Sequence, residues 1–190
     1  LTQVADQIAT QEVRDLLVLH PIESVWGLKI GRDGPAKVGE LDASFLNLGS
    51  ALLGANIDFD YGSEDVMARH ARIKGKKLFI ARAGYRGIVV PEMLTIRAST
   101  LKLLTDFTSA GGPVHYIGKP PAFVDGKPSR AAQIAYRAFA QCTIGEAAAA
   151  VAPFARRLSL AQDGVETEAT LYLMSQSKEA LSVFVCNTSA

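Results

Sequence analysis

The sequence predicts an α/β protein: a mostly parallel sheet of roughly five strands with helices on both faces, followed by an antiparallel β segment at the carboxyl end. Three observations carry this expectation. First, two short apolar strands, GIVVP (Gly87 to Pro91) and VHYIG (Val114 to Gly118), flank the helical run TIRASTLKLLTDFTSAGG, which makes one βαβ unit. Second, the runs LLVL, GIVV and VHYI are apolar without alternation, as expected of strands buried on both faces. Third, from Leu158 onward apolar and polar residues alternate, with turn signals at Asp163-Gly164 and at Gln176 to Lys178.

Taken in order, LTQVADQIATQ reads as a helix, and a chain that opens in mid-helix without Met is expected to be a segment of a longer polypeptide. RDLLVLH (Arg14 to His20) reads as the first buried strand, and PIESVWGLKIGRDGPAKVGE, with two prolines and four glycines, as a long irregular segment of the kind that is usually functional or interfacial. Leu41, Phe45, Leu48, Leu52 and Leu53 stand at helical spacing before Gly54, and IDFDY then alternates as the second strand. Ser63, Glu64 and Asp65 suit the start of a short helix to about His70. KKLFIA and YRGIVVP read as an edge strand and a central strand. The helix from Ile96 to Ala110 stops at Gly111-Gly112, and KPPAFVDGKPS is a Pro-rich loop after the next strand. Two helices, about 129–141 and 144–152, are separated by a capping box of Thr143 and Glu146. The expected domains are therefore an α/β unit over 1–157 and a β extension, or the start of a β-sandwich, over 158–190.

The 190 residues are 48% hydrophobic, enough for one core, and a net charge of +1 shows neither a basic stripe nor an acidic tail. Nucleic acid and membrane are accordingly not expected partners. Cys142 and Cys186 read as free buried thiols with no His or Cys at metal-ligand spacing, so neither a zinc site nor a disulfide is expected.

Tests for known chemistries return absences. There is no G-x-G-x-x-G after the first strand and no P-loop, which argues against nucleotide cradles, and no cofactor is expected. The central strand ends in Val90-Pro91 rather than a phosphoacceptor carboxylate, and the PEML turn (Pro91 to Leu94) offers no nucleophilic elbow. Asp58 and Asp60 form a carboxylate pair on one strand face, with no cleft between them for glycoside hydrolysis. His70 and His115 read as a surface and a core residue. The best ligand-binding candidate is HPIESVW, just past the carboxyl end of the first strand, with His20, Glu23 and Trp26. Two readings stand side by side: the indole stacks on a sugar while His and Glu bond hydroxyls, or Trp26 packs into the core and His20 caps the strand.

Together LLVLHPIESVW, LGANIDFDYGSED, YRGIVVPEMLTIRASTLKLLTDFTSAGGPVHYIGKPP and FVCNTS resemble a segment of large multidomain bacterial glycoside hydrolases. It is similar to the amidotransferase-like domain beside the catalytic barrel, as in the β-galactosidase trimerisation domain and α-L-rhamnosidase-type enzymes. The resemblance implies a flavodoxin-like, class I glutamine amidotransferase-like three-layer α/β/α fold. It also implies a non-catalytic accessory or interface role, with the barrel of a parent hydrolase, a second copy or carbohydrate as partners and no catalytic residue on this segment. An independent amidotransferase-like enzyme or small-molecule-binding protein is the alternative.

Overall fold

The computed structural model describes residues 11–29, 34–167, 170–177 and 179–188. The helix expected over the first residues lies outside them, save that Gln11–Glu12 form a short strand, β1. The centre of the molecule is a five-stranded sheet of β2 (Leu16–Leu19), β3 (Phe59–Gly62), β7 (Gly87–Val90), β9 (Val114–Ile117) and β12 (Ala140–Cys142). Its order is β12-β9-β7-β2-β3, and every neighbouring pair is parallel. Val89 faces His115 in register, so the strands of the βαβ unit are sheet neighbours as expected. Among the described residues six α-helices accompany the sheet: α1 (Ile22–Lys29), α2 (Gly34–Gly54), α3 (Glu64–His70), α4 (Ala98–Ser109), α5 (Ala131–Ala135) and α6 (Ile144–Ala155).

Alternate residues of each central strand feed two separate apolar clusters, because successive side chains of a strand point to opposite faces. Leu16, Val18 and Val89 meet Phe45, Leu48 and Leu52 of α2 and Val151 of α6. Leu17, Leu19, Ile88 and Val90 meet Leu104 and Phe107 of α4 together with Tyr136. All four residues of β2 and of β7 are buried, which explains their unalternating sequence. Each fully buried side chain of this size adds about 1.5–3 kcal/mol, so these strands dominate the core.

Several expectations need correction. The Pro- and Gly-rich stretch after His20 is largely helical, in α1 and the start of α2. Pro21 immediately precedes α1 and Pro35 is the second residue of α2, where a missing N–H leaves no hydrogen bond unmade. Read as breakers, the two prolines in fact start helices. KKLFIA lies in a separate antiparallel sheet, β4 (Ala71–Lys74), β5 (Lys77–Ile80) and β6 (Ala83–Tyr85), and the fifth parallel strand is β12 instead. The helix expected over 129–141 ends early. It is α5 plus a 3-10 turn, Tyr136–Ala138, after which Ala140 pairs with His115. The loop KPPAFVDGKPS contains a small hairpin, β10 (Phe123–Val124) and β11 (Lys127–Pro128), that pairs with β8 (Thr95–Ile96). Cys142 is buried, but Cys186 is exposed.

The carboxyl segment is antiparallel, as expected. β13 (Ala161–Gln162) and β14 (Val165–Glu166) turn at Asp163 and Gly164, both at positive φ, as a two-residue hairpin turn requires. β15 (Thr170–Gln176) and β16 (Leu181–Asn187) form a second hairpin, and β1 pairs with β15. One further tie from this segment and one from the residue just before it reach the α/β body. The Tyr172 hydroxyl donates to the Asn56 carbonyl at 3.3 Å, and Arg157 pairs with the buried carboxylate of Asp15.

Candidate functional site

Ligands of open parallel sheets bind outside the carboxyl ends of the strands, where the connections leave in opposite directions. Here that point lies between β2 and β7. The chain leaves β2 through His20, whose backbone N–H donates to the Gly62 carbonyl at 2.9 Å, and turns through Pro21 directly into α1. One residue fastens α1 to the strand edge. Ser24 is fully buried, and its Oγ accepts the N–H groups of Leu94 (3.0 Å) and Thr95 (3.1 Å) while donating to the Thr95 carbonyl at 3.2 Å. The segment after β7 thus has backbone groups that this hydroxyl satisfies, and the sequence offers no local sign of it.

The three candidate residues occupy different settings. The His20 ring sits edge-on to Phe45 (5.2 Å between centroids) and Tyr61 (6.1 Å), in an aromatic group that also includes Phe59. Glu23 is held by Arg97 at 2.5 Å, and Arg97 also reaches Asp65 at 3.4 Å. Trp26 is 58% exposed, and no aromatic ring contacts it among the described residues. The core-packing alternative for the indole therefore fails on burial. His20, by contrast, is chiefly a packing residue, and Glu23 already has its cation.

Beneath this ion pair lies a residue that periodicity placed merely in a helical first turn. Glu64 is 1% exposed, and its Oε2 accepts the Arg97 N–H at 2.8 Å while Oε1 has no hydrogen-bond partner among the described residues. The nearby Tyr136 hydroxyl is likewise buried and unpartnered. Burial pushes the Glu64 carboxyl above its ordinary range, against the Arg97 N–H, which favours the charged form. A raised folded value means that Glu64 contributes stability below its unfolded value, near 4.5, and loses that contribution as pH rises through the folded value. Glu64→Gln keeps an acceptor for Arg97 and does not titrate. The variant is expected to be more stable than the native chain at neutral pH by on the order of 1 kcal/mol, with the difference shrinking toward pH 4. Thermal unfolding of both proteins across this range checks it, and a pH-independent difference would refute it.

Further along the same edge, a cavity of about 660 Å³ opens past β9 and β12. It is lined by Glu92 after β7, Gly118, Gln141, Cys142, Ser44 of α2 and the start of α6. Gly118 is at φ +74°, a left-handed conformation that favours glycine, and the Glu92 side chain lies 3.2 Å from where its Cβ would be. Gln141 Nε2 donates to the Gly118 carbonyl at 2.7 Å. The capping box is present: Glu146 accepts the Thr143 N–H and hydroxyl, both at 2.9 Å, and these bonds draw its carboxyl below the usual range. The Cys142 thiol is pushed up by burial and by Glu146, the opposite of an activated thiolate. The cavity can hydrogen-bond polar ligands, but its thiol is not prepared for attack.

The carboxylate pair Asp58 and Asp60 faces Arg14 at 2.9 and 2.8 Å, at the other side of the sheet, and Tyr85 donates to Asp60. His70 is exposed, and the half-buried His115 stacks on Phe154. Among the described residues no cluster of His, Cys, Asp and Glu could hold a metal, and no helix is long and apolar enough to cross a membrane.

No protein-family model and no curated protein matches the chain. Among solved structures, the rhamnosidase from Novosphingobium sp. PP1Y is similar over 94% of this chain, with a TM-score of 0.56 and 13% identity. At that identity the likeness concerns the fold. The chain spans only 17% of the length of that rhamnosidase.

Proposed function

We propose that the chain is a non-catalytic accessory domain of a larger glycoside hydrolase, with α1 bordering the sugar site of an adjoining catalytic barrel. The observation that carries this reading is the structural likeness of nearly the whole chain to about a sixth of a rhamnosidase chain. The strand order supports the flavodoxin-like three-layer arrangement. Numbered along the chain, the parallel strands run second, first, third, fourth, fifth, the order of flavodoxin-like sheets. The turn after β7 is Pro91-Glu92-Met93-Leu94, without the thiol that an amidotransferase of this fold would need. An indole left 58% in solvent on the ligand edge suits a surface that meets sugar or a neighbouring domain. β16 adds exposed Val183 and Val185 on one face and Phe184 on the other, apolar groups suited to a β-sandwich over 158–190, to the parent enzyme or to a second copy.

Trp26→Ala tests the reading in two proteins. In the complete gene product, kcat/KM on aryl glycosides is expected to fall about tenfold or more, while this chain alone keeps its unfolding free energy within about 1 kcal/mol and turns over no aryl glycoside. Unchanged activity of the complete product, or turnover by this chain alone, would overturn it. The rival reading, a small-molecule-binding protein of the amidotransferase-like superfamily, is favoured by the 660 Å³ cavity. Saturable binding of a polar metabolite that Gln141→Ala abolishes would support that alternative.

A further inference from the structure

The near-neutral charge of the whole chain conceals a segregation that corrects the expectation of no basic stripe. Between Val66 and Pro91 stand seven Lys and Arg residues and no Asp or Glu. Most of that stretch folds into the β4-β5-β6 sheet. One face of it, with Leu78 and Tyr85, is buried against the core. Side-chain alternation turns Arg72, Lys74, Lys77 and Phe79 to the other face. There the Arg72 guanidinium lies 5.5 Å from the Phe79 ring centre, and the ring leans over Gly84, where a Cβ would come within 2.7 Å of it.

This face forms one wall of a cavity of about 550 Å³ at the amino edge of the main sheet. The opposite wall is acidic, with Glu12 and Asp60, yet those carboxylates already share Arg14, and Asp15 has Arg157. Lys77 and Arg82 line the cavity with no carboxylate in ion-pair range among the described residues. The cavity therefore has two unneutralised cations at one side, an aromatic wall, and at the other side carboxylates with remaining lone pairs to accept hydroxyl protons. We propose that it binds a small hydroxylated ring compound bearing one anionic group, a sugar acid or a sugar phosphate. The anionic group is held by Lys77 and Arg82, the ring lies against Phe79, and hydroxyls donate to Glu12 and Asp60. Nothing in this assignment depends on the carboxyl edge or on a catalytic partner.

Calorimetric titration of the chain with glucuronate, glucose 6-phosphate, glucose and inorganic phosphate tests it. At least one sugar anion is expected to bind saturably, with glucose and inorganic phosphate each about tenfold weaker or more. Binding of one sugar anion alone supports the proposal and identifies the anionic group. Lys77→Ala/Arg82→Ala is expected to weaken that binding about tenfold or more, and both side chains are exposed, so circular dichroism should show an unchanged fold. Absence of binding to either sugar anion, inorganic phosphate binding as tightly, or undiminished binding by the folded double variant would each overturn the assignment.

Discussion

Truncating Phe107 to Ala is expected to lower the unfolding free energy by about 3–5 kcal/mol, because a fully buried ring at the centre of one apolar cluster would leave a cavity. The same ring makes Gly112 sensitive for a different reason. A Cβ at Gly112 would lie 2.3 Å from the Phe107 ring, so Gly112→Ala is expected to cost about 1–3 kcal/mol through overpacking, with no positive φ at that residue to blame. Combining Gly112→Ala with Phe107→Leu should cost less than the sum of the two single changes, since the smaller side chain makes room for the methyl group. Urea unfolding of the three variants measures this, and strict additivity would contradict the predicted steric coupling.

Arg157→Ala is expected to cost about 2–4 kcal/mol. Its partner Asp15 is 3% exposed, and a buried carboxylate stripped of its cation is among the costlier single losses. The figure stands below the fully buried range because the Arg157 side chain is 40% exposed and its charge is partly screened. Asp15→Asn introduced beside it should recover much of the loss by removing the unpaired charge. A midpoint for Arg157→Ala indistinguishable from that of the native chain would show that the pair is energetically silent. This ion pair also ties the residue before the carboxyl β segment to the start of β2, so loosening it should open that segment to proteolysis before the sheet core.

The candidate site was legible only in outline. A ligand edge follows from strand polarity, and the sequence HPIESVW placed His20, Glu23 and Trp26 along it. The partners are another matter. Ser24 meets Leu94 and Thr95, and Glu23 meets Arg97, about seventy positions further along the chain, so no local spacing could pair them. Glu64 reads in sequence as an ordinary acidic residue of a first helical turn, and its burial comes from what packs over it. The basic run from Arg69 to Arg86 was visible in the sequence, but the whole-chain charge masked it.

By itself the sequence determined the class of fold and most of its punctuation. Four-residue apolar runs mark strands buried on both faces, and Gly111, at φ +85°, ends α4 as its position after an apolar-periodic run requires. The Thr143 and Glu146 capping box and the Asp163-Gly164 turn are equally local, because the hydrogen bonds and dihedral angles that define them lie within a few residues. Only the tertiary structure decided which strands share a sheet. Ala140 to Cys142 joined β9 although the preceding residues are helical, and Lys77 to Ile80 went to a separate small sheet although they read as an edge strand of the main one. Gly112 makes the same point within a single dipeptide. Beside the locally explained Gly111, it is required by the distant ring of Phe107 filling the space a side chain would need. Local signals are written in dihedral preference and short-range hydrogen bonding, whereas pairing partners and excluded volume depend on residues far along the chain that meet only when the sheet is assembled.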